Sequence, residues 1–374
     1  MTSTRSFQLI FLGDVMLGRL IDQCFPTHVH ELSEGRIVEQ LKQSDAALRS
    51  YGLASPWGDT LPLLRSADLR LINLETSATC HSIKWPNKVF NYRMHPANIE
   101  ALKVARIDYA SLANNHTLDF GEAGLAETVK TLRSAGIHSA GAGLTREEAQ
   151  GPAKVPIEAN SRDGDQDHTI DVFSASDHPQ DWARVPNFHF IDYSSATKSH
   201  LHRIINQSNK ISKSSLKIFS IHWGPNYSWK PSEEIRDLAH FLIDECEIDI
   251  VHGHSSHHVQ GVEQYKPGKI IIYGCGDFVD DYALTSGYRN DLSAVWRITV
   301  NDMKQAPDKH DLVPTKLEVF PSRIKDFQVQ LLNKKDNDHR WVCDKIRTLS
   351  QDLGSTSSAF LGEEGQLVFE LYDK

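Results

Sequence analysis

Short apolar runs that stop abruptly at a polar residue recur along this chain. FQLIFLG (7–13) ends at Asp14, LRLINLE (69–75) at Glu75 and DYASLA (108–113) at Asn115 and His116. LKIFSIHW (216–223) carries His222 at its end, and IDIVHGH (248–254) leads into His254 and His257. Runs of this length, rich in Ile, Leu, Val and Phe, read as buried strands. HTIDVFSAS (168–176), HHVQGVEQY (257–265), KIIIYGCG (269–276) and SAVWRITV (293–300) read the same way, with GIHSAGAG (136–143) as a short strand and loop. Between them lie helical patterns: IVEQLKQSDAAL (37–48), ANIEALKVA (97–105) opened by Pro96, and GEAGLAETVKTLRSAG (121–136) closed by Gly136. In the last of these, Leu125, Val129 and Leu132 fall on one face. SEEIRDLAHFLIDE (232–245) is a helix capped by Ser232. SRDGDQD (161–167) and SSATKSH (194–200) read as surface loops, NDMKQAPDKHD (301–311) as a polar connector, and the remainder as a small strand-plus-helix appendage with helical spacing in HRWVCDKIRTL (339–349).

Alternating strands and helices predict an α/β fold, with residues 1–311 as the main domain and 312–374 as the appendage. In such folds, side chains at the carboxyl ends of strands converge on one sheet edge, where ligands bind. The strand-end residues are therefore the candidate chemistry. Asp14 and Glu75 offer carboxylate oxygens to a cation; the bland alternatives are a turn cap and a surface glutamate. Asn115 offers a neutral oxygen, and His116 an acid–base group that Asp119, three residues on, can orient; the alternative is an Asn-rich turn. In HGHSSHH (252–258) four histidines surround one glycine, and about two of them can reach one centre. Arg19, Lys88, Tyr92 and Arg93 form a basic-aromatic patch able to receive a carboxylate or phosphate, or else an ordinary loop. GCGDFVDDY (274–282) adds Asp277, Asp280 and Asp281, which close the site or make a turn.

Composition removes several classes. The net charge of -9 over 374 residues argues against nucleic acid or an acidic membrane surface as partner. Five scattered cysteines without a C-x-x-C pair fit a reducing compartment. No apolar stretch approaches the ~20 residues of a membrane span, so a cytoplasmic protein is expected. His28, His30, His168, His178, His200 and His202 lie in polar stretches and read as solvated. No phosphate-binding loop, dinucleotide fingerprint or G-x-S-x-G is present.

The ordered set FLGDVMLGR, NLET, KWPNKVFNYRMHP, SLANNHTLDFGEAGL, IHWGPN, VHGHSSHHVQGVEQY and YGCGDF resembles the bacterial CapA (poly-γ-glutamate capsule synthesis) family of the calcineurin-like metallophosphoesterase superfamily, over roughly residues 8–282. The resemblance implies a four-layer α/β/β/α sandwich with a metal site at the sheet edges and one or two divalent ions (Mn, Zn, Fe, Mg or Ca). By that resemblance Asp14 and His257 bind the first metal, Glu75 bridges, and Asn115, His222 and His254 bind the second. His116 takes the place of the superfamily's catalytic histidine. The sequence departs from the pattern at Met16, where the superfamily has a histidine ligand, and at Asp277, where many relatives have asparagine. Capsule-linked members commonly carry an N-terminal membrane anchor, which is not found here.

The expected activity is a metal-dependent hydrolase using activated water on a phosphoester or a γ-glutamyl, carboxylate-rich peptide. Its rivals are a metal-dependent peptide epimerase that exchanges a Cα proton, and a non-catalytic protein that binds an acidic polymer. The expected partner is accordingly a small molecule, a peptide or an acidic polymer.

Overall fold

The computed structural model describes residues 5–157, 168–211, 213–306, 309–355 and 359–372. Two sheets carry the fold. Sheet I runs, in spatial order, Phe360–Leu361, Leu367–Glu370, Lys309–Lys325, Leu292–Ala306, Ser6–Val15, Leu69–Leu74, Tyr109–Ser111 and His138–Ala140, with Asp277–Val279 and Gln328–Leu331 pairing off this path. Sheet II runs Val262–Lys266, Lys269–Ile272, Ile250–His254, Leu216–His222, His168–Ser176 and Ala153–Ile157.

Strand alternation sorts the apolar residues into layers. Phe7, Leu9 and Phe11 of sheet I face Ile170, Ile218, Ile250 and Ile270 of sheet II across one core. Their neighbours Ile10 and Leu12 point the other way, onto the helix Gly121–Ser134 through Leu125, Val129 and Leu132. Phe173, Phe219 and Val251 turn outward from sheet II onto the helices Ser195–Ile211 and Glu233–Asp244. The order is helix, sheet, sheet, helix, and the apolar runs are continuous because both faces of each sheet are buried.

Several expectations change. SSATKSH opens the 17-residue helix Ser195–Ile211, because Leu201 and Ile205 give that segment a buried stripe. NDMKQAPDKHD is no connector: Asn301 pairs with Val313, Met303 with Asp311 and Ala306 with Lys309, since a sheet's hydrogen bonds need no apolar side chains at its end. IVEQLKQSDAAL breaks at Asp45, whose carboxylate accepts from Ala47 N at 2.8 Å and starts a separate turn. HHVQGVEQY is strand only from Val262. His168 is buried, with Ser215 Oγ 2.9 Å from its Nδ1. SRDGDQD lies outside the described residues.

The C-terminal stretch is strand plus helix, hydrogen-bonded into sheet I; residues 311 and 312 both lie in the strand Lys309–Lys325. Its helix Asn337–Asp352 packs Val342, Cys343 and Ile346 into the core between the sheets. The cysteines are free, and no helix among the described residues is long and apolar enough to cross a membrane.

One backbone approach sets the site. Asp14 N donates to Gly276 O at 3.2 Å, and a Cβ added at Gly13 would lie 1.7 Å from that carbonyl. Gly13→Ala must push two strands apart. We expect a loss of about 3 kcal/mol of stability, the upper range for overpacking, measurable by denaturant unfolding.

Candidate metal centre

Strand register brings the polar residues together. Asp14 is paired with Asn73 on one side and with Asp277 on the other. In sheet II His222 stands level with His254. Because both sheets end here, their carboxyl edges meet around Asp14, which is 1% exposed.

Two buried ligand groups result. Asp14, His222 and His254 form one, and Asp14, Glu75, His257 and Asp277 form the other; within each group the ligand atoms lie within 4.8 Å of one another. Asp14 belongs to both. Glu75, given the bridging place by resemblance, belongs to the second group only. Asn73 Nδ2 donates to Asp14 Oδ1 at 2.7 Å and orients it. His222 Nδ1 and His254 Nδ1 are 2.8 Å apart, and His254 Nε2 is held by Ser220 Oγ at 3.1 Å. Burial, and then the neighbouring imidazoles, drives both histidines well below their ordinary pKa, so they stand neutral with lone pairs available.

The second group is acidic. His257 Nδ1 is 2.8 Å from Asp277 Oδ1, and Tyr282 OH donates to Glu75 Oε2 at 3.3 Å. Burial first, then the surrounding carboxylates, lifts Glu75 and Asp277 well above the usual carboxylate range. Asp280 beside them is pushed up to about 7, mainly by burial. Glu75 Oε1, Asn115 Oδ1 and Asp277 Oδ2 are buried with no hydrogen-bond partner among the described residues. Crowded carboxylates and orphaned oxygens both relax if a cation enters. The donor set of carboxylate and imidazole fits divalent ions such as Mn, Fe and Zn.

The loop after His254 carries its own strain. Ser255 (φ 95°) and His257 (φ 61°) hold left-handed backbone, which costs non-glycine residues about 1–3 kcal/mol each and clusters at functional sites. Of the four clustered histidines, His254 and His257 enter the ligand groups. His252 Nε2 instead meets Leu12 O at 2.8 Å, tying the sheets together, and His258 packs against Tyr288. Met16 turns its sulfur back to Gly18 N and gives the centre no nitrogen.

Beside the second group stands the pair His116–Asp119. His116 Nδ1 is 2.6 Å from Asp119 Oδ2, and its Nε2 lies 4.0 Å from Glu75 Oε1. Tyr92 stacks on the imidazole at 3.8 Å between centroids, while its backbone N–H donates to Asp119 Oδ2 at 2.6 Å. Burial pulls His116 down to about 4, against the opposing pull of Asp119. The neutral ring places its proton on Nδ1 toward Asp119 and leaves Nε2 facing the centre.

Of the basic-aromatic patch, Arg19 and Lys88 gather about Tyr92 and His116, while Arg93 turns to Glu31. Lys88 Nζ pairs with Asp119 Oδ1 at 2.7 Å, and Arg93 pairs with Glu31 at 2.5 Å while also donating to His81 O. Arg19 lies over the Tyr92 ring at 5.3 Å and pairs with Asp281 at 3.4 Å. Arg93 is thus turned onto Glu31 and His81 O, and Lys88 acts on Asp119. Asp277, left open between site and turn in the sequence, is a full member of the second group. The strand-end rule could have found it, since it follows KIII and Gly-Cys-Gly. Asn73 and Tyr282 had no local signal.

The chain is 34% identical over 361 residues to the "Probable polyglutamine synthesis accessory protein Rv0574c" of Mycobacterium tuberculosis, covering 91% of this chain and 90% of that one. It is 24% identical over 367 residues to the "PGA biosynthesis protein CapA" of Bacillus subtilis, covering 96% and 81%. Among solved structures, the calcineurin-like phosphoesterase YfkN of Bacillus subtilis superposes with a TM-score of 0.46 at 10% identity, covering 93% of this chain and 98% of that one. The family model described as bacterial capsule synthesis protein PGA_cap matches residues 8–282, and the chain belongs to that family.

Proposed function

We propose that this protein is a metal-dependent hydrolase of an anionic substrate, either a phosphoester or a γ-glutamyl, carboxylate-rich peptide. The observation that carries this reading is the sharing of Asp14 by two buried ligand groups next to an Asp-held histidine. Asp14, Asn115, His222 and His254 would hold one ion, and Asp14, Glu75, His257 and Asp277 the other. Divalent ions bound there supply Lewis acidity, which polarises a phosphoryl or carbonyl oxygen and makes water a usable nucleophile near neutral pH.

The remaining residues manage protons and position. Asp119, anchored by Lys88 and by Tyr92 N–H, fixes the His116 tautomer. The Tyr92 ring confines the imidazole to one plane. His116 Nε2 would then take the proton lost by the attacking water and pass it to the departing oxygen or nitrogen as its bond breaks. The relatives' names, which point to polyglutamine synthesis and PGA biosynthesis, favour the peptide over the phosphoester.

The test uses protein stripped with a chelator and reloaded singly with Mn, Zn, Fe or Mg. Reloaded protein should cleave p-nitrophenyl phosphate or γ-glutamyl oligomers, and stripped protein neither. Ion at about a hundred times its dissociation constant should stabilise the fold by about 2.7 kcal/mol. Deuterium entering the peptide Cα from solvent without cleavage would move the assignment to an epimerase. Tight ion binding with neither chemistry would leave a non-catalytic binding protein.

A further inference from the structure

At the outer edge of sheet II, the strand Ala153–Ile157 and the helices Arg146–Gln150 and Ser195–Ile211 border a cavity of about 650 Å³. It shares no residue with either ligand group of the metal centre. Its volume lies within the roughly 300–1,000 Å³ usual for small-molecule sites. In a chain whose net charge is -9, cations gather here: Arg146, Lys154 and Arg203 line the cavity against one acidic residue, Glu147. Lys154 is neutralised by the buried Asp171, whose Oδ1 lies 3.0 Å from its Nζ. The Glu147 carboxylate is taken up at the start of its own helix, by its own N–H and the Thr145 hydroxyl. Arg146 and Arg203 have no carboxylate partner among the described residues. Arg203 Nη2 donates instead to His200 Nδ1 at 2.7 Å, which puts the imidazole proton on Nε2. That Nε2 is buried with no hydrogen-bond partner among the described residues. Burial, then Arg203 and Arg146, keeps His200 below its ordinary pKa, so both guanidinium groups act on one ring. The apolar side of the cavity is open: Ile204 is half-buried and Ile211 is 83% exposed.

We propose that this cavity is a second ligand site, which takes a small molecule with a doubly negative head and an apolar body. The head sits between Arg146 and Arg203 beside His200, and the body lies on Ile204 and Ile211. Guanidinium groups grip phosphate and carboxylate through paired hydrogen bonds, and two of them without carboxylate partners match a head of two charges. A neutral imidazole with its proton on Nε2 adds a donor that lacks an acceptor. The open isoleucine faces favour an anion carrying an apolar group over a bare inorganic ion, because burying that group removes further apolar surface from water. The site does not depend on the hydrolase reading, since it uses none of the metal-centre residues.

Calorimetric titration of the full-length, metal-loaded protein with phenylphosphonate tests this, because the carbon–phosphorus bond of the probe resists hydrolysis. The wild type should bind it at least about ten-fold more tightly than methylphosphonate, which lacks the ring. Replacing both arginines, Arg146→Ala with Arg203→Ala, should weaken phenylphosphonate by at least about ten-fold. Ile211→Ser should shrink the preference for the ring, and both variants should keep the wild-type melting temperature and metal content. Asp14→Asn, which empties the metal centre, should still bind the probe. Binding that survives the loss of both arginines and disappears in Asp14→Asn would put the anion at the metal centre alone and overturn the site. Equal affinity of the wild type for the two phosphonates would overturn it as well. Isophthalate, which carries two carboxylates on the same ring, identifies the head group: if it binds more tightly than phenylphosphonate and is lost in the same double variant, the site stands and its head is a dicarboxylate. Protein that binds the probe in this way but turns over no substrate would sink the hydrolase only, so the two failures are separable.

Discussion

Asp14→Asn will leave the protein unable to hold a divalent ion at either position, and metal-dependent turnover will fall by about 10³-fold or more, the equivalent of several kcal/mol of lost charge stabilisation. The reason is geometric. Asp14 is common to both ligand groups, whereas every other member serves one. Elemental mass spectrometry on the purified variant should find less than one ion per chain, and Glu75→Gln should lose ion from the acidic group only. Stability moves the opposite way. In the stripped protein burial raises Asp14, Glu75 and Asp277, Asp14 further raises the other two, and the carboxamide removes that charge. Stripped Asp14→Asn should therefore melt no lower than stripped wild type, while the metal-induced rise in melting temperature disappears. Two ions per chain in this variant would refute the shared role.

His116→Asn is the second large effect, and it should be of a different kind. The asparagine can still donate toward Asp119 but offers no Nε2 to exchange a proton. A fall in kcat of about 10²–10⁴-fold is expected, the usual range for removing a general acid–base group. Metal content should stay at the wild-type value, because His116 is in neither ligand group. Full activity in this variant, with metal bound, would mean that Tyr92 and Lys88 merely pack a structural histidine. Substrates with an acidic leaving group should be hurt least, since they need no proton.

Much of the site was legible before any coordinates. Asp14, Glu75 and His222 each follow an apolar run, and that local pattern is enough to place them at strand ends, whereas Asn115 falls in the turn beyond Tyr109–Ser111. The helix Gly121–Ser134 was equally plain from its spacing. The misreadings have local causes as well. SSATKSH is polar at its start, so the buried Leu201 and Ile205 further on were not joined to it. The pairing of residues 301–306 with 309–313 is made by the backbone and leaves little imprint on side-chain polarity.

What the sequence determined by itself was the alternation of strands and helices and the edge on which the polar residues would gather. These depend on residues a few positions apart, where periodicity and capping act. Tertiary structure alone decided the sharing of Asp14, the withdrawal of Arg93 onto Glu31 and the arrival of Trp341 beside Trp229. Each of those depends on the register and packing of segments far apart in the chain. That arrangement is set by how two whole sheets bury their apolar faces against each other, and no single stretch of sequence carries it.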